Sequence, residues 1–506
     1  MDGFEDWGVS LAVFLPVLGA ALIAVTPGTN ERAMKVYSVL FSGAALLVGA
    51  LILGPYDRGA NGIQLEADIP WIPSIDARYH VGVDGISLPL LELTLLITFL
   101  CMIYSLWHLP EPHNPKAFLS LCLVLETGMA GTFIALDLVL FFIFWELVLV
   151  PMYFLIGLWG GPRREYAAIK FFLYTLFGSV IMLLGFLALY FRADPNTFDI
   201  VQLRGVGGGF PVGVQNLIFF ALFLGFAIKV PMWPFHTWLP DAHTEAPTVG
   251  SVLLAAILLK MGTYGFVRIS IPILPDAAVT FAPFIGLLAV IAIIYGALNC
   301  LAQVDLKRLV AFSSVGHMGF VMLGIATLTE EGINAAIFGM VAHGVITGML
   351  FFIAGSIHER YHTRDIPALG GGMLTKVPRL GGILAFSAIA SLGLPGLAGF
   401  WGEVLALLSA YQPLPELNEG TFRIFMVLGG VGTVLTAGYF LWMLQRVNLG
   451  KVPDRWESST MIDVQPLELA AWAPLLVLIL LLGVYPRLLL DVTDGPVGDL
   501  VRAFGL

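Results

Sequence analysis

Residues 225–243, GFAIKVPMWPFHTWLPDAH, place Lys229, Pro231, Pro234, His236 and His243 where an apolar helix would otherwise run on unbroken. Proline has no N–H, so Pro231 deprives the carbonyl of Ala227 of its helical partner and Pro234 does the same to Val230. In hydrocarbon, freed carbonyls are tolerated only where protein or water satisfies them. An ammonium near mid-bilayer costs roughly 2.5–3.5 kcal/mol on insertion scales, so a lysine at such a break reads as a proton or ion site on a discontinuous helix. The alternative is a kinked structural helix whose lysine snorkels to the surface.

The other ionisable residues inside apolar stretches are Glu126, Glu146, Lys260, His317, His343 and Glu403. Glu146, in FFIFWELVLVPMYF, is the natural counter-charge for Lys229, since a carboxylate beside an ammonium keeps both ionised whereas burial alone neutralises each. Drawing the carboxylate away then destabilises the ammonium, which makes the pair a switch. Lys260, in LLAAILLKMGTYG, has no acid on its own helix; desolvation disfavours its charged form, as suits a group that must take and release a proton. His317 and His343 titrate near neutrality and can pass a proton between their ring nitrogens, or serve as interhelical hydrogen bonders. Thr175, Ser179, Ser313, Ser314 and Thr347 can hold water between these sites or simply pack.

The elements that must position these groups are membrane helices. Hydrophobic residues make up 58% of the 506 and charged residues 12%, about half the charged share of a soluble domain. Apolar segments recur almost from end to end and give about fourteen spans, an all-α polytopic protein in a lipid bilayer. Residues 11–25 lack a basic leader and are expected to stay as a helix rather than be cleaved. Cys101, Cys122 and Cys300 stand singly in apolar runs, which argues against zinc, iron–sulfur or disulfide roles. The net charge of −10 argues against a nucleic-acid partner. With the N-terminus outside, fifteen lysines and arginines fall in inner loops, Lys307 among them, and eight in outer segments, Arg268 among them. Only Lys229 and Lys260 of the 25 are left inside helices. The bias predicts both termini on the outer side.

A weak internal repeat runs at an offset of 168: Asp137-Leu138 matches Asp305-Leu306, and Ala167-Ala168-Ile169 matches Ala335-Ala336-Ile337. Taken as a repeat, it divides the chain into helices 1–3 (residues 1–116), a five-helix unit of helices 4–8 (117–271), a second unit of helices 9–13 (278–447), and helix 14 with its tail (448–506). An odd number of crossings inverts the second unit. The broken seventh helix then corresponds to the twelfth, where Gly393-Leu-Pro-Gly396 precedes Glu403.

One motif points elsewhere. His358-Glu359-Arg360-Tyr361-His362 satisfies HExxH, the pattern of a zinc protease, but it sits at the end of its helix beside Arg364 with no evident third ligand.

WELVLVPMYFLIGLWGG, KVPMWPFHTWLPDAHTEAPTVGSVLLAAILLKMGTYG, DLKRLVAFSSVGHMGF and HTRD together resemble the antiporter-like subunits of proton-pumping NADH:quinone oxidoreductase, respiratory complex I, over nearly the whole chain. Among the three large paralogues the likeness is to subunit M, in which the twelfth helix carries glutamate, as at Glu403, where L and N carry lysine. The resemblance implies a proton-translocating subunit of the bacterial inner membrane, its termini periplasmic. Glu146 and Lys229 would be the charge pair, Lys260 the central relay and Glu403 the residue nearest the outer exit. His236, His317 and His343 would line the hydrated axis; Glu126 and Asp137 are lesser candidates. It also implies L-like and N-like neighbours, with FMN, iron–sulfur clusters and quinone handled by partner subunits and no metal here. Multisubunit cation/proton antiporters and ion-pumping membrane hydrogenases share the fold and remain the alternative.

Overall fold

The computed structural model describes residues 2–504. Among these described residues, thirteen helices are long and apolar enough to cross a membrane. The first four are α1 (Asp2–Val25), α2 (Glu31–Ile52), α3 (Leu88–Ser105) and α4 (Pro115–Ile134). They are followed by α5 (Leu138–Trp159), α6 (Arg164–Arg192), α7 (Val212–Lys229) and α8 (Thr248–Ile273). The second half holds α9 (Pro275–Leu301), α10 (Leu306–Ala326), α11 (Glu330–Tyr361), α13 (Glu419–Val447) and α14 (Pro466–Val484). The remaining span, α12, is split into Pro378–Ser391 and Ala398–Tyr411, and neither half is long enough to cross alone. The architecture is thus fourteen membrane segments, and α8, α10 and α11 form its most buried part.

Three helices break where charges sit. α7 stops at Lys229, and the chain turns before a short helix, Trp238–Glu245. The carbonyl that Pro231 deprives of its partner, that of Ala227, is recaptured by the Met232 N–H at 2.9 Å, and the Trp238 indole N–H donates to Ile228 O at 2.9 Å. In α12 the break runs through Gly393 and Gly396, at φ 81° and 93°, angles that cost an L side chain dearly. α14 packs directly on it: the Trp401 indole N–H donates to Gly483 O at 2.8 Å. The third break was not expected. The fifth segment, read as continuous from the sequence, divides at Val148 into Leu138–Leu147 and Leu149–Trp159, because Pro151 cannot donate to the carbonyl of Leu147.

The all-α reading needs one addition. Residues 54–85, between α2 and α3, contain an antiparallel hairpin of β1 (Gln64–Ile72) and β2 (Ala77–Val83). It docks on the head of α5, with the Leu136 N–H donating to His80 O at 2.9 Å and the Arg78 N–H to Asp137 Oδ2 at 3.0 Å. The charge count also changes. Arg268 and Lys307 are each only 3% exposed, so fifteen against eight becomes fourteen against seven, and the asymmetry survives.

The repeat noticed in sequence has a local counterpart. Asp137 and Asp305 each cap a helix, α5 and α10. Each also forms an isolated antiparallel bridge, Asp137 to Asp199 and Asp305 to Asp365. Around the first, Leu138 N donates to Phe198 O and Ile200 N to Leu136 O; around the second, Leu306 N donates to Arg364 O and Ile366 N to Val304 O. The same backbone clasp occurs twice.

The hairpin's docking carries a titratable lock. His80 lies between Asp199 Oδ2 (2.5 Å) and Glu66 Oε1 (2.7 Å). Burial opposes its protonation, but the bonds and charges of Asp199 and Glu66 outweigh burial and hold the imidazole above its usual range. A raised folded-state value means a stabilisation fully present below the unfolded histidine value of about 6.5 and lost as pH rises through the folded value. Hydrogen exchange of residues 64–83, corrected for intrinsic rate, should therefore show protection falling from pH 6 towards pH 9 in the wild type and a flat profile in His80→Gln. Identical profiles would remove His80 as the lock.

Candidate functional site

Lys260 lies at the centre of α8, wholly buried. Stretches of π-helix flank it, Leu254–Leu258 and Phe266–Ser270; such wide turns occur mostly at functional positions. The ammonium donates to Ala255 O at 2.5 Å, a carbonyl of the first stretch, and meets His343 Nδ1 at 2.6 Å. The partner that its own helix lacks is thus supplied by α11. Gly344 permits the approach, because a Cβ there would lie 2.9 Å from Ala256 O.

From His343 the polar line continues sideways. Its ring centroid is 5.7 Å from that of His317 on α10. His317 Nδ1 meets Glu403 Oε1 at 2.9 Å, and its Nε2 meets Ser391 Oγ at 3.0 Å. Glu403 and Ser391 come from the two sides of the α12 break, and Gly393 within it lies close under the carboxylate, a Cβ there falling 3.2 Å from Glu403 Oε2. Between the histidines lies a cavity of about 30 Å³ lined by His317, His343, Thr347, Ser391 and Glu403. His343 Nε2, Thr347 Oγ1 and Glu403 Oε2 have no protein hydrogen-bond partner. A space of this size with several polar groups suits one or two water molecules.

The first charge pair is not closed. Glu146 and Lys229 have no nitrogen–oxygen approach within 4.0 Å; the Lys229 ammonium lies 4.9 Å from the centre of the Trp145 ring instead. A cation over an indole face is worth about 2 kcal/mol when desolvated, so Trp145, held by its N–H on Ser179 Oγ at 3.0 Å, is a resting place for the lysine. Glu146 Oε1 is left without a partner. His236, in the α7 break, packs on Tyr295 with centroids 5.0 Å apart and joins neither group. Glu126 on α4 is completely buried with both oxygens unpartnered. Asp137 has ordinary structural work: its side chain accepts from the N–H groups of Val139, Leu140 and Arg78.

Sequence reasoning passed over Ser391 and gave His243 no role beyond its place in the interrupted stretch. His243 is fully buried, stacks on Phe351 of α11 at 4.4 Å, and has both ring nitrogens unpartnered. Its residue type, two turns beyond His236, was the available signal.

The HExxH motif does not assemble as a zinc site. Glu359 accepts from Tyr104 Oη at 3.0 Å and meets His108 Nδ1 at 2.9 Å, while His358 and His362 are exposed. His108, Glu359 and Glu468 do lie together. The Arg360 guanidinium, however, already occupies both oxygens of Glu468, at 3.0 and 2.6 Å, and so fills the place of a cation.

Residues 135–436 match the family model described as NADH:quinone oxidoreductase/Mrp antiporter, TM. NADH-quinone oxidoreductase subunit M of Rhodobacter capsulatus is 42% identical over 98% of this chain and 96% of its own length. That of Rickettsia prowazekii is 40% identical over 98% and 99%. Among solved structures, a chain of respiratory complex I from Thermus thermophilus superposes with a TM-score of 0.88 at 29% identity, covering 98% of this chain and all of that one. A chain of the Mrp complex from Dietzia sp. has the same fold, with a TM-score of 0.83 at 22% identity, and this chain spans 52% of it. The chain belongs to the NADH:quinone oxidoreductase/Mrp antiporter family of membrane subunits, among the subunits M of NADH-quinone oxidoreductase.

Proposed function

We propose that this subunit carries protons across the membrane through Lys260, His343, His317 and Glu403, driven by redox chemistry in partner subunits. The observation that carries the reading is the 2.6 Å contact between Lys260 Nζ and His343 Nδ1. An ammonium donating to a neutral imidazole nitrogen can transfer its proton, and the ring can then release one from Nε2. Nε2 has no protein partner, and the cavity beyond it is sized for water, which would carry the proton to His317 and so to Glu403. Glu146 and Lys229 form the upstream switch. With Lys229 over Trp145 the pair is open and the ammonium's charge uncompensated, so that it repels a charge on Lys260; closing it would offset that repulsion and favour the charged form of Lys260. Glu126, His236 and Asp137 stand outside this line.

The repeated clasp at Asp137 and Asp305 supports two five-helix units, residues 117–271 and 278–447, preceded by 1–116 and followed by 448–506. Five crossings separate the clasps, an odd number that would put them on opposite membrane faces and invert one unit relative to the other. The lysine and arginine bias favours both termini on the periplasmic side of a bacterial inner membrane. The subunit would sit among other membrane subunits of the complex, including the L-like and N-like ones. FMN and iron–sulfur clusters would belong to other subunits, with quinone as electron acceptor. Full-length identity near 40% with subunits M favours this assembly over an Mrp-type antiporter, where the likeness is one of fold.

Two outcomes test the relay. Lys260→Gln keeps hydrogen bonds but cannot bind and release a proton in this pH range. The assembled complex should oxidise NADH with an artificial acceptor at the wild-type rate while acidification of sealed vesicles falls sharply, and quinone-linked turnover falls with it. Full acidification would reduce Lys260 to a packing residue. Thr347→Val keeps the shape of a cavity wall and removes the hydroxyl that would hold water. Pumping should slow about tenfold, the effect of about 1.4 kcal/mol on a barrier, in a complex that assembles normally; unchanged pumping would place the proton's route elsewhere.

A further inference from the structure

A second buried charge on α8 is unused by the relay. Arg268 lies eight residues beyond Lys260 towards the hairpin face, about 12 Å along the axis, within the second π-helical stretch. One of its terminal nitrogens meets Asp84 Oδ1 at 2.5 Å and its Nε donates to Tyr264 Oη at 3.1 Å. The same carboxylate oxygen is fixed by the N–H groups of Ile86 and Ser87, each at 3.0 Å. Tyr264 Oη donates onward to Phe133 O at 2.8 Å. From the hairpin side the pair is closed by the C-terminal helix Arg487–Val501, which approaches so near that a Cβ on Gly85 would lie 1.8 Å from Val492 O.

Between Lys260 and Arg268 the space is aromatic. Phe133 meets Tyr264 edge-on at 5.2 Å, Phe226 meets Phe266 at 5.6 Å, and Gly265 lies flush against the Phe226 ring. A buried ion pair is weak evidence for stability, because desolvating two charges offsets their attraction, so its presence here calls for a role. A guanidinium does not deprotonate in proteins, so it cannot pass a proton on. Its charge beside Asp84, one oxygen of which also accepts from Ile86 and Ser87, favours the ionised carboxylate and so disfavours a proton there. Fixed arginines at the narrow point of a pore exclude protons in this way.

We propose that the Arg268–Asp84 pair is a proton seal. It closes the direct route from Lys260 along its own helix to the hairpin face, so that the proton leaves sideways through His343. The seal rests on the relay described above and adds the reason why Lys260 discharges into the second half of the protein instead of short-circuiting the membrane.

The test is passive proton conductance of the complex in liposomes with a trapped pH dye, with no electron donor and an imposed pH step. Arg268→Lys keeps the charge, and so the assembly, but an ammonium can release its proton; Arg268→Gln with Asp84→Asn removes both charges and keeps polar contact. Either complex should leak about ten times faster than wild type, a change of about 1.4 kcal/mol in barrier. Adding Lys260→Gln should return each to wild-type tightness. Vesicles as tight as wild type with either variant overturn the seal, and so does a leak that persists once Lys260 is replaced. Normal pumping by Lys260→Gln alone, in contrast, overturns the relay on which the seal depends.

Discussion

A charge inside hydrocarbon is several kcal/mol too costly to persist unless something beside it compensates, and Lys260 is buried completely at the middle of α8. Its compensation is one backbone carbonyl and one imidazole nitrogen. Neither is a negative charge. A carboxylate there would hold the ammonium charged, whereas a neutral base leaves the lysine able to lose its proton. The contact with His343 thus sets what α8 and α11 must do. α8 widens into π turns on both sides of the lysine, and α11 carries glycine immediately after its histidine so that the two helices can touch.

The same constraint accounts for the interrupted helices. Glu146, Lys229 and Glu403 each lie within a few residues of a backbone break, where unpaired peptide groups supply dipoles that an intact helix hides. Each break is made by proline or glycine, and two are repaired locally, by Met232 and Trp238 at α7 and by α14 packing against the glycines of α12. The repairs keep the fold intact while leaving a carboxylate or ammonium incompletely satisfied. Arg268 shows the opposite treatment: a carboxylate stands directly against its guanidinium, as befits a charge that is to stay where it is.

Much of this was legible in the residues. Apolar run lengths gave the fourteen segments, and Pro231, Pro234 and the Gly393–Gly396 turn marked two of the breaks. The third, at Val148, depends on how one proline, Pro151, is accommodated in a packed helix, and kinked and divided helices have the same sequence. Lysine at position 260 announced a functional site, but its partner lies 83 positions away on α11, and only tertiary packing pairs them. Arg268 and Lys307 looked like loop cations because each lies near a helix end; burial by neighbouring segments cannot be read from one strand of sequence. The hairpin was missed because Pro70 falls inside its first strand, and a proline within a run argues against a strand.

The central claim is that protonation passes from Lys260 to Glu403 by way of His343. Time-resolved infrared difference spectroscopy of the assembled complex during NADH-driven turnover follows that directly, with Glu403→Asp used to assign the Glu403 carboxyl band. The account predicts a protonation change at Glu403 in the wild type and a silent band in His343→Leu, although NADH oxidation by an artificial acceptor continues. A Glu403 band of undiminished amplitude in His343→Leu would contradict it.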